Sequence, residues 1–170
     1  SLSKLFDVSI NTIKEYISYL EYAYLFFNLN KFSYSYKTHI TKPSKRYCID
    51  NGLINLVSFK FSENKGRLHE NLVFLELMRG NHEIYYHSVK NECDFIVKRQ
   101  LEIINAIQVA VDLTDEKTRK REINGLVEAL KEYNLKEGLI ITDDQYEDLI
   151  VDKLKIKIRP LWFWLLNKKE

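Results

Sequence analysis

Three oxygen-bearing side chains, Glu70, Asp94 and Gln108, have the chemistry to hold a metal ion or to take part in hydrolysis. On a helix, Glu70 would share one face with Val73 and Phe74, because residues three and four positions apart are neighbours. Burying a carboxylate on an apolar stripe is unfavourable unless a cation, a metal ion or a hydrogen-bond donor meets it. The alternative is a glutamate at the edge of the stripe that reaches solvent or caps a loop.

Asp94 and Gln108 lie in two β-rich runs, residues 93–98 and 103–113, which predict a hairpin. Whether the two residues meet depends on strand register, because a slip of one residue reverses every side chain. A three-residue loop would pair Asp94 with Gln108, and a two-residue loop would pair it with Ile107. If the loop has three residues, the carboxylates of Glu70 and Asp94 and the amide carbonyl of Gln108 form an oxygen-rich cluster suited to Mg²⁺. The alternative for Asp94 is an exposed acid near a turn.

The elements that position these residues follow from apolar periodicity and from capping signals. Helices are predicted within residues 1–30, where Ser9 can act as a cap, and at residues 67–80 and 115–133. Strands are predicted at residues 25–34, 45–49, 82–89, 93–98, 103–113, 137–144 and 156–166, the last with a short helix at its end. Residues 145–152 suggest a short helix or turn, and the lysines of residues 153–159 suggest a protected edge strand.

The order of these elements predicts an α/β fold with a mixed sheet and helices on both faces. Ahead of it, a helix, a short turn, a longer helix and a β-rich hairpin follow the order of a helix-turn-helix with a wing. The polar stretch 58–66 is the predicted boundary. The expected division is a partial winged-helix segment at residues 1–58 and a second domain at residues 59–170.

Composition excludes several classes of protein. The chain is 45% hydrophobic and 29% charged, which is typical of a globular protein, and its net charge is only +2. Its longest apolar run, residues 161–166, is too short to span a bilayer, so no membrane partner is expected. Cys48 and Cys93 lack metal-ligand spacing and are expected to be buried reduced thiols, which favours a cytoplasmic location. Neither a phosphate-binding P-loop nor a serine or zinc hydrolase motif is present.

A helix glutamate followed by a hairpin with "ECDF" and "IQVA" resembles the core of the PD-(D/E)XK nuclease superfamily. The resemblance implies a restriction-endonuclease-like fold, with Glu70 and Asp94 as metal ligands for Mg²⁺. Gln108 stands where that superfamily has an acid, and it would orient the attacking water. Ala110 stands where the superfamily has a lysine that positions water and balances phosphate charge. Lysines migrate in this superfamily, so the basic helix at residues 115–133 could supply a substitute from Lys117, Lys120 or Arg121, although the same residues also suit a solvated helix face.

The whole chain is similar to the C-terminal region of a family of prokaryotic AAA+-type ATPases. The stretches that carry this resemblance are "SINTIKEYISYLEYAYLFFNLNKFS", "KRYCIDNGL", "HENLVFLELMRG", "ECDFIV", "IQVAVDL" and "TRKREINGL". The resemblance implies an upstream ATPase domain that binds ATP, and a C-terminal domain of unknown function with a nuclease-like fold.

Basic residues cluster on the predicted wing, namely Lys37, Lys42, Lys45 and Arg46. Lysines in such a position contact phosphates, so DNA is an expected partner of this segment. Two functions follow as expectations. One is a nucleic-acid-associated module that hydrolyses phosphodiesters with Mg²⁺ or has lost that activity. The other is a non-catalytic domain that directs the ATPase to a protein partner.

Overall fold

The structure is a computed structural model that describes residues 2–34, 43–57 and 65–167. Its helices are α1 (Leu2–Phe6), α2 (Ile10–Tyr22), α3 (Asn51–Val57), α4 (Lys65–Arg79), α5 (Glu116–Glu132) and α6 (Leu161–Leu166). Its strands are β1 (Phe26–Leu29), β2 (Lys45–Cys48), β3 (Glu83–Ser88), β4 (Glu92–Arg99), β5 (Glu102–Val109), β6 (Glu137–Thr142), β7 (Glu147–Val151) and β8 (Leu154–Pro160).

Six strands form one mixed sheet in the order β3-β4-β5-β6-β8-β7. The first three strands are antiparallel neighbours, and β5, β6 and β8 run parallel. A parallel neighbour requires a crossover, and α5 supplies it between β5 and β6. The predicted α/β fold with a mixed sheet flanked by helices is therefore confirmed.

Each face of the sheet carries its own hydrophobic core. On one face α4 packs through Val73, Phe74 and Leu77 against Phe95 and Ile107. The opposite core is formed by α5 and by the other set of strand residues, and its fully buried members include Cys93, Ile96, Ala106, Leu126, Leu130, Ile140 and Ile158. Burial on both faces explains why three consecutive residues of β6, Leu139, Ile140 and Ile141, are apolar.

The small hairpin of β1 and β2 is attached to the first of these cores. Leu29 and Tyr47 are buried with Phe74, and the Tyr47 and Phe74 rings stack with centroids 4.2 Å apart. Backbone hydrogen bonds from Phe32 N to Tyr86 O and from Tyr86 N to Asn30 O join the hairpin to β3. The predicted wing therefore shares a core with the large sheet, and this contact carries residues of the hairpin to the site.

The N-terminal helices pack more loosely. Ser9 caps α2 as predicted, since its hydroxyl accepts a hydrogen bond from Thr12 N at 3.0 Å. No residue of α2 is buried, and its apolar stripe lines an open groove of about 560 Å³.

Within the described ranges, no helix is long and apolar enough to cross a membrane. Both cysteines are buried and free, as expected.

Two expectations for the C-terminal part were wrong. Residues 147–151 form a strand, β7, and not a helix or turn. Because β7 takes the outer position, β8 lies inside the sheet, and its lysines do not protect an edge. They pair with acids of the neighbouring strands instead, as Lys155 does with Asp148 at 3.3 Å and Lys157 with Glu137 at 2.9 Å.

Candidate functional site

One lysine ammonium lies among three carboxylates at the end of β4. Lys45 Nζ is 2.7 Å from Asp94 Oδ1, 2.8 Å from Glu92 Oε1 and 3.1 Å from Glu70 Oε1. An ammonium has three N–H donors, so three carboxylate acceptors can engage all of them. Residues from β2, α4 and β4 therefore meet at one atom, and we call Lys45, Glu70, Glu92 and Asp94 the Lys45 cluster.

Two irregularities of the sheet place Asp94. The β4–β5 loop has two residues, which alone would pair Asp94 with Ile107. An extra residue on β5, Ile104, shifts the register by one, so that Phe95 pairs with Ile107 and Asp94 lies beside Gln108. The Asp94 amide donates to Gln108 Oε1 at 3.1 Å. Of the two registers that the sequence left open, the structure has the one that brings Asp94 beside Gln108, but it does so through a bulge and not through a longer loop.

A second irregularity turns the Asp94 side chain. Tyr85 pairs with Ile96 and His87 with Cys93, so Tyr86 alone faces both Asp94 and Phe95. A bulge of this kind interrupts the alternation of side chains and re-aims one of them. The Asp94 carboxylate consequently meets Lys45 on one oxygen, and its other oxygen accepts a hydrogen bond from Val109 N at 2.9 Å.

Glu70 is held from the hairpin side. Its Oε1 accepts hydrogen bonds from Tyr47 Oη at 2.6 Å and from Lys45 Nζ. Lys45 and Tyr47 are two residues apart on β2 and point to the same face, whereas Arg46 between them is exposed. The carboxylate on the apolar stripe of α4 therefore meets a cation and a donor, which is the condition that makes its burial tolerable.

Gln108 lines the larger cavity, and its amide makes two hydrogen bonds within the protein. Its Oε1 accepts from Asp94 N, and its Nε2 donates to Glu122 Oε2 on α5. Glu122 in turn pairs with Arg121. Both ends of the Gln108 amide are engaged within the protein, so in this geometry Gln108 positions Asp94 and Glu122.

Two cavities meet at the Lys45 cluster. The larger, of about 570 Å³, is lined by Gly66, Arg67, Glu70, Lys90, Asn91, Glu92, Asp94, Gln108, Val109, Arg121 and Glu122. The smaller, of about 390 Å³, includes Lys45, Tyr47, Arg67 and Glu70 in its wall. The acids thus face a polar pocket, and the lysine reaches them from the other side.

Electrostatics show that the cluster is short of positive charge. Burial and then the charge of Glu70 raise the pKa of Asp94 to about 7, although Lys45 acts in the opposite direction. Burial acts to lower the pKa of Lys45, but Asp94 and Glu70 outweigh it and raise that pKa above its ordinary value. Lys45 therefore stays charged, while three carboxylates share one positive charge.

The donor set fits a divalent cation in its chemistry. Carboxylate oxygens are the ligands that Mg²⁺ prefers, and the ammonium marks a point where three of them converge on a cation. Their spacing suits the ammonium, because Mg²⁺ requires oxygens at about 2.1 Å. In the parts of the chain that the structure describes, no three Asp, Glu, His or Cys side chains stand close enough to hold a metal ion as they are.

The structure accounts for the other predicted residues in different ways. Lys37 and Lys42 lie outside the described residues, and Arg46 is exposed on β2. Lys45, predicted to contact phosphate from the wing, instead reaches into the acidic cluster. Ala110, at the expected lysine position, is buried in the core beneath α5. Of the three basic residues considered on α5, Arg121 lines the larger cavity.

Three participants were missed by the sequence interpretation, namely Tyr47, Glu92 and Glu122. The alternation of side chains along β2 could have indicated the role of Lys45. Tyr47 is a large aromatic residue in a short strand, and alternation places Lys45 on the same face. A buried Tyr47 therefore implies a Lys45 directed inward, toward an acid.

The turn before β4 is fixed by one glutamate of α5. Glu128 accepts hydrogen bonds from Lys90 N at 2.9 Å, from Asn91 Nδ2 at 2.6 Å and from His87 Nε2 at 3.1 Å. Burial acts to raise the pKa of Glu128, but these hydrogen bonds outweigh it and hold the pKa at about 2. The turn positions Lys90, Asn91 and Glu92 in the wall of the larger cavity.

Replacing Glu128 with glutamine is expected to lower the free energy of unfolding by about 1–2 kcal/mol at pH 7. A glutamine amide nitrogen cannot accept the hydrogen bonds that the second carboxylate oxygen accepts. Because the folded pKa lies below the ordinary value of 4.5, this contribution is complete above that pH and is lost as the pH falls toward 2. Urea unfolding at pH 7 and pH 3 measures it, and a difference of equal size at both pH values would contradict the assignment.

Fold and site together define an α/β domain with a mixed six-stranded sheet and a polar, carboxylate-rich pocket at one end of β4 and β5. Residues 1–64 match a domain of unknown function, DUF8612. The chain is 41% identical to an uncharacterized protein of Methanocaldococcus jannaschii, MJ1544. The alignment has 183 positions and covers 98% of this chain and 39% of that protein. It is 27% identical to an uncharacterized protein of Haemophilus influenzae, covering 91% of this chain and 37% of that one.

The chain thus spans about two fifths of the length of these curated relatives. No solved structure gives a significant match.

Proposed function

We propose that this chain is a nucleic-acid-associated, nuclease-like domain whose pocket acts on phosphodiester bonds. The observation that carries the proposal is the contact of Lys45 Nζ with both Glu70 and Asp94. It supplies, from the hairpin, the lysine that is absent at Ala110, one residue after β5. An acid on a helix, an acid on a strand and a lysine in contact with both correspond to three of the four groups that the sequence resemblance implies, and Gln108 replaces the fourth, an acid.

Each group has a role that its own contacts support. Glu70 and Asp94 would hold Mg²⁺, which when bound supplies Lewis-acid stabilisation of the phosphate. Tyr47 and Val109 N orient these two carboxylates by hydrogen bonds. Lys45 is near enough to both carboxylates for its ammonium to balance negative charge on the phosphate.

Basic groups beside the acids suit an anionic polymer. Arg67, Lys90 and Arg121 line the larger cavity together with the carboxylates, and Arg46 is exposed on the neighbouring strand. Cationic side chains around a pocket attract a phosphate backbone irrespective of sequence. We therefore propose DNA as the substrate class, and an upstream ATPase as the remainder of the longer protein.

The test is a nuclease assay on linear and branched DNA with Mg²⁺ or Mn²⁺. We expect Lys45→Gln and Asp94→Asn each to lower the cleavage rate by about 100-fold, as does loss of one charge-stabilising group. Lys98→Gln is the matched control, because Lys98 also pairs with an acid, Glu83 at 2.6 Å, but does so at the far end of β4. Identical traces from all four proteins would refute catalysis by this pocket.

A second candidate function rests on the exposed stripe of α2. The groove along this helix is lined by Phe6, Val8, Ile13, Tyr16, Ile17, Leu20 and Phe26 and is almost entirely apolar. Such a surface favours a non-catalytic role in which α2 docks onto a protein partner, and we propose the ATPase part of the longer protein as that partner. Hydrogen exchange distinguishes the two cases: amides of α2 should be protected in a full-length relative and exchange faster in this chain. Equal exchange in both would refute docking.

A further inference from the structure

The Lys45 ammonium and a divalent cation need the same oxygen atoms. Asp94 Oδ1 and Glu70 Oε1 each lie within hydrogen-bond distance of Lys45 Nζ, and Glu92 Oε1 completes the set. A divalent ion bound by these oxygens would stand within contact distance of the ammonium, and like charges so close repel strongly.

We infer that Lys45 is the resident counter-ion of this site and that it leaves the carboxylates whenever a divalent cation binds them. This inference deepens the proposed function, in that it assigns control of cation affinity at the same pocket to Lys45. The protein at rest thus keeps these acids partly neutralised by a side chain of its own. Cation affinity is then set by how readily Lys45 withdraws.

The structure gives Lys45 a place to withdraw. Its side chain lines the smaller cavity, of about 390 Å³, which shares Arg67 and Glu70 with the larger pocket. A lysine stem has four rotatable bonds, so the ammonium can move into that cavity while β2 stays in place. Two hydrogen bonds hold the acids without Lys45. The Tyr47 hydroxyl donates to Glu70, and the Val109 backbone amide donates to Asp94.

The first experiment measures Mn²⁺ binding, without nucleic acid, by electron paramagnetic resonance and calorimetry. Lys45→Met is expected to lower the Kd for Mn²⁺ by about tenfold or more relative to the unaltered chain, because one competing charge is gone. Lys98→Met, which removes an equal charge from another acid pair on the same strand, should leave the Kd unchanged. Equal affinities in all three proteins overturn the inference.

The second experiment uses the unaltered chain and therefore does not depend on the folding of a variant. Reductive methylation, read by peptide mass spectrometry, reports how available each lysine amine is. We expect an excess of Mg²⁺ to raise labelling of Lys45 severalfold and to leave Lys98 unchanged. Unchanged labelling of Lys45 overturns the inference.

Neither experiment includes a substrate, so their failure is separable from a failure of the proposed function. Cleavage of DNA together with unchanged Mn²⁺ affinity in Lys45→Met would refute the counter-ion role and keep the nuclease. Tighter Mn²⁺ binding without any cleavage would do the reverse.

Discussion

Replacing Gly125 with alanine is expected to lower the free energy of unfolding by about 3 kcal/mol, a value at the upper end of overpacking effects. Gly125 lies on the buried side of α5, where the helix crosses β4. A Cβ atom there would stand 2.1 Å from the carbonyl oxygen of Glu92 and 3.2 Å from its carbonyl carbon. Both are backbone atoms of a sheet strand, so the helix or the strand has to move.

The same substitution should disturb the site, because Glu92 belongs to the Lys45 cluster. Movement of the Glu92 backbone alters the distance between its carboxylate and Lys45. We therefore expect Gly125→Ala to lower cleavage as well as stability, under the proposed function. Urea unfolding gives the first quantity, and the nuclease assay gives the second.

Gly66→Ala is the matched control, since Gly66 also lies in a helix. The Cβ added there meets only Val111 Cγ2, at 3.6 Å, which is an ordinary van der Waals distance. Gly66 is the second residue of α4, where alanine loses less backbone entropy on folding than glycine, so a neutral or stabilising effect is expected. If both variants unfold at the same urea concentration, the close approach of α5 and β4 has no energetic weight.

Replacing Lys45 with methionine is expected to lower the free energy of unfolding by about 3 kcal/mol at pH 8. The variant keeps the aliphatic volume and removes the charge, so Glu70, Glu92 and Asp94 face one another without a counter-ion. The side chain of Lys45 is 21% exposed, which places the expected loss at the low end of the values for buried pairs.

This loss should depend on pH in a defined direction. Burial and Glu70 already raise the pKa of Asp94 to about 7, and Lys45 is what opposes a further rise. A carboxyl group whose folded pKa exceeds its unfolded value destabilises the fold when it is ionised. The penalty is therefore complete above the folded pKa and is lost as the pH falls toward the ordinary value of 3.8.

We accordingly expect the difference between Lys45→Met and the unaltered chain to shrink to about 1 kcal/mol at pH 5. Thermal and urea unfolding between pH 5 and pH 8 measure it. Lys98→Met, which leaves a single surface glutamate unpaired, should show little change over that range. A loss for Lys45→Met that grows on acidification would contradict the charge argument.

Much of the site could be derived from local patterns. The apolar period around Glu70 identified a helix with one carboxylate on its buried face, and α4 has that form. The alternating run after Cys93 predicted the β4–β5 hairpin but left open whether Asp94 pairs with Gln108 or with Ile107. These features depend on periods of two and 3.6 residues, which each segment carries within itself.

Other features could not be predicted from the sequence because they depend on residues that are distant along the chain. The acids of β7 disfavour a strand on propensity alone, yet Asp148 pairs with Lys155 and Arg159 of β8, at 3.3 and 2.6 Å. The bulge at Ile104 adds one residue to β5, and the bulge opposite Tyr86 redirects the side chain of Asp94. Neither bulge can be recognised in the pattern of hydrophobic residues.

The sequence by itself determined the class of fold and two of the carboxylates, because burial patterns and turn signals are local properties of the chain. Only the tertiary structure decided what those carboxylates meet. Lys45 lies 25 residues before Glu70 and 49 before Asp94, and it reaches both because Tyr47 stacks on Phe74 and anchors the hairpin to the sheet. The position of the lysine is thus a consequence of packing between two elements, and no spacing within either one encodes it.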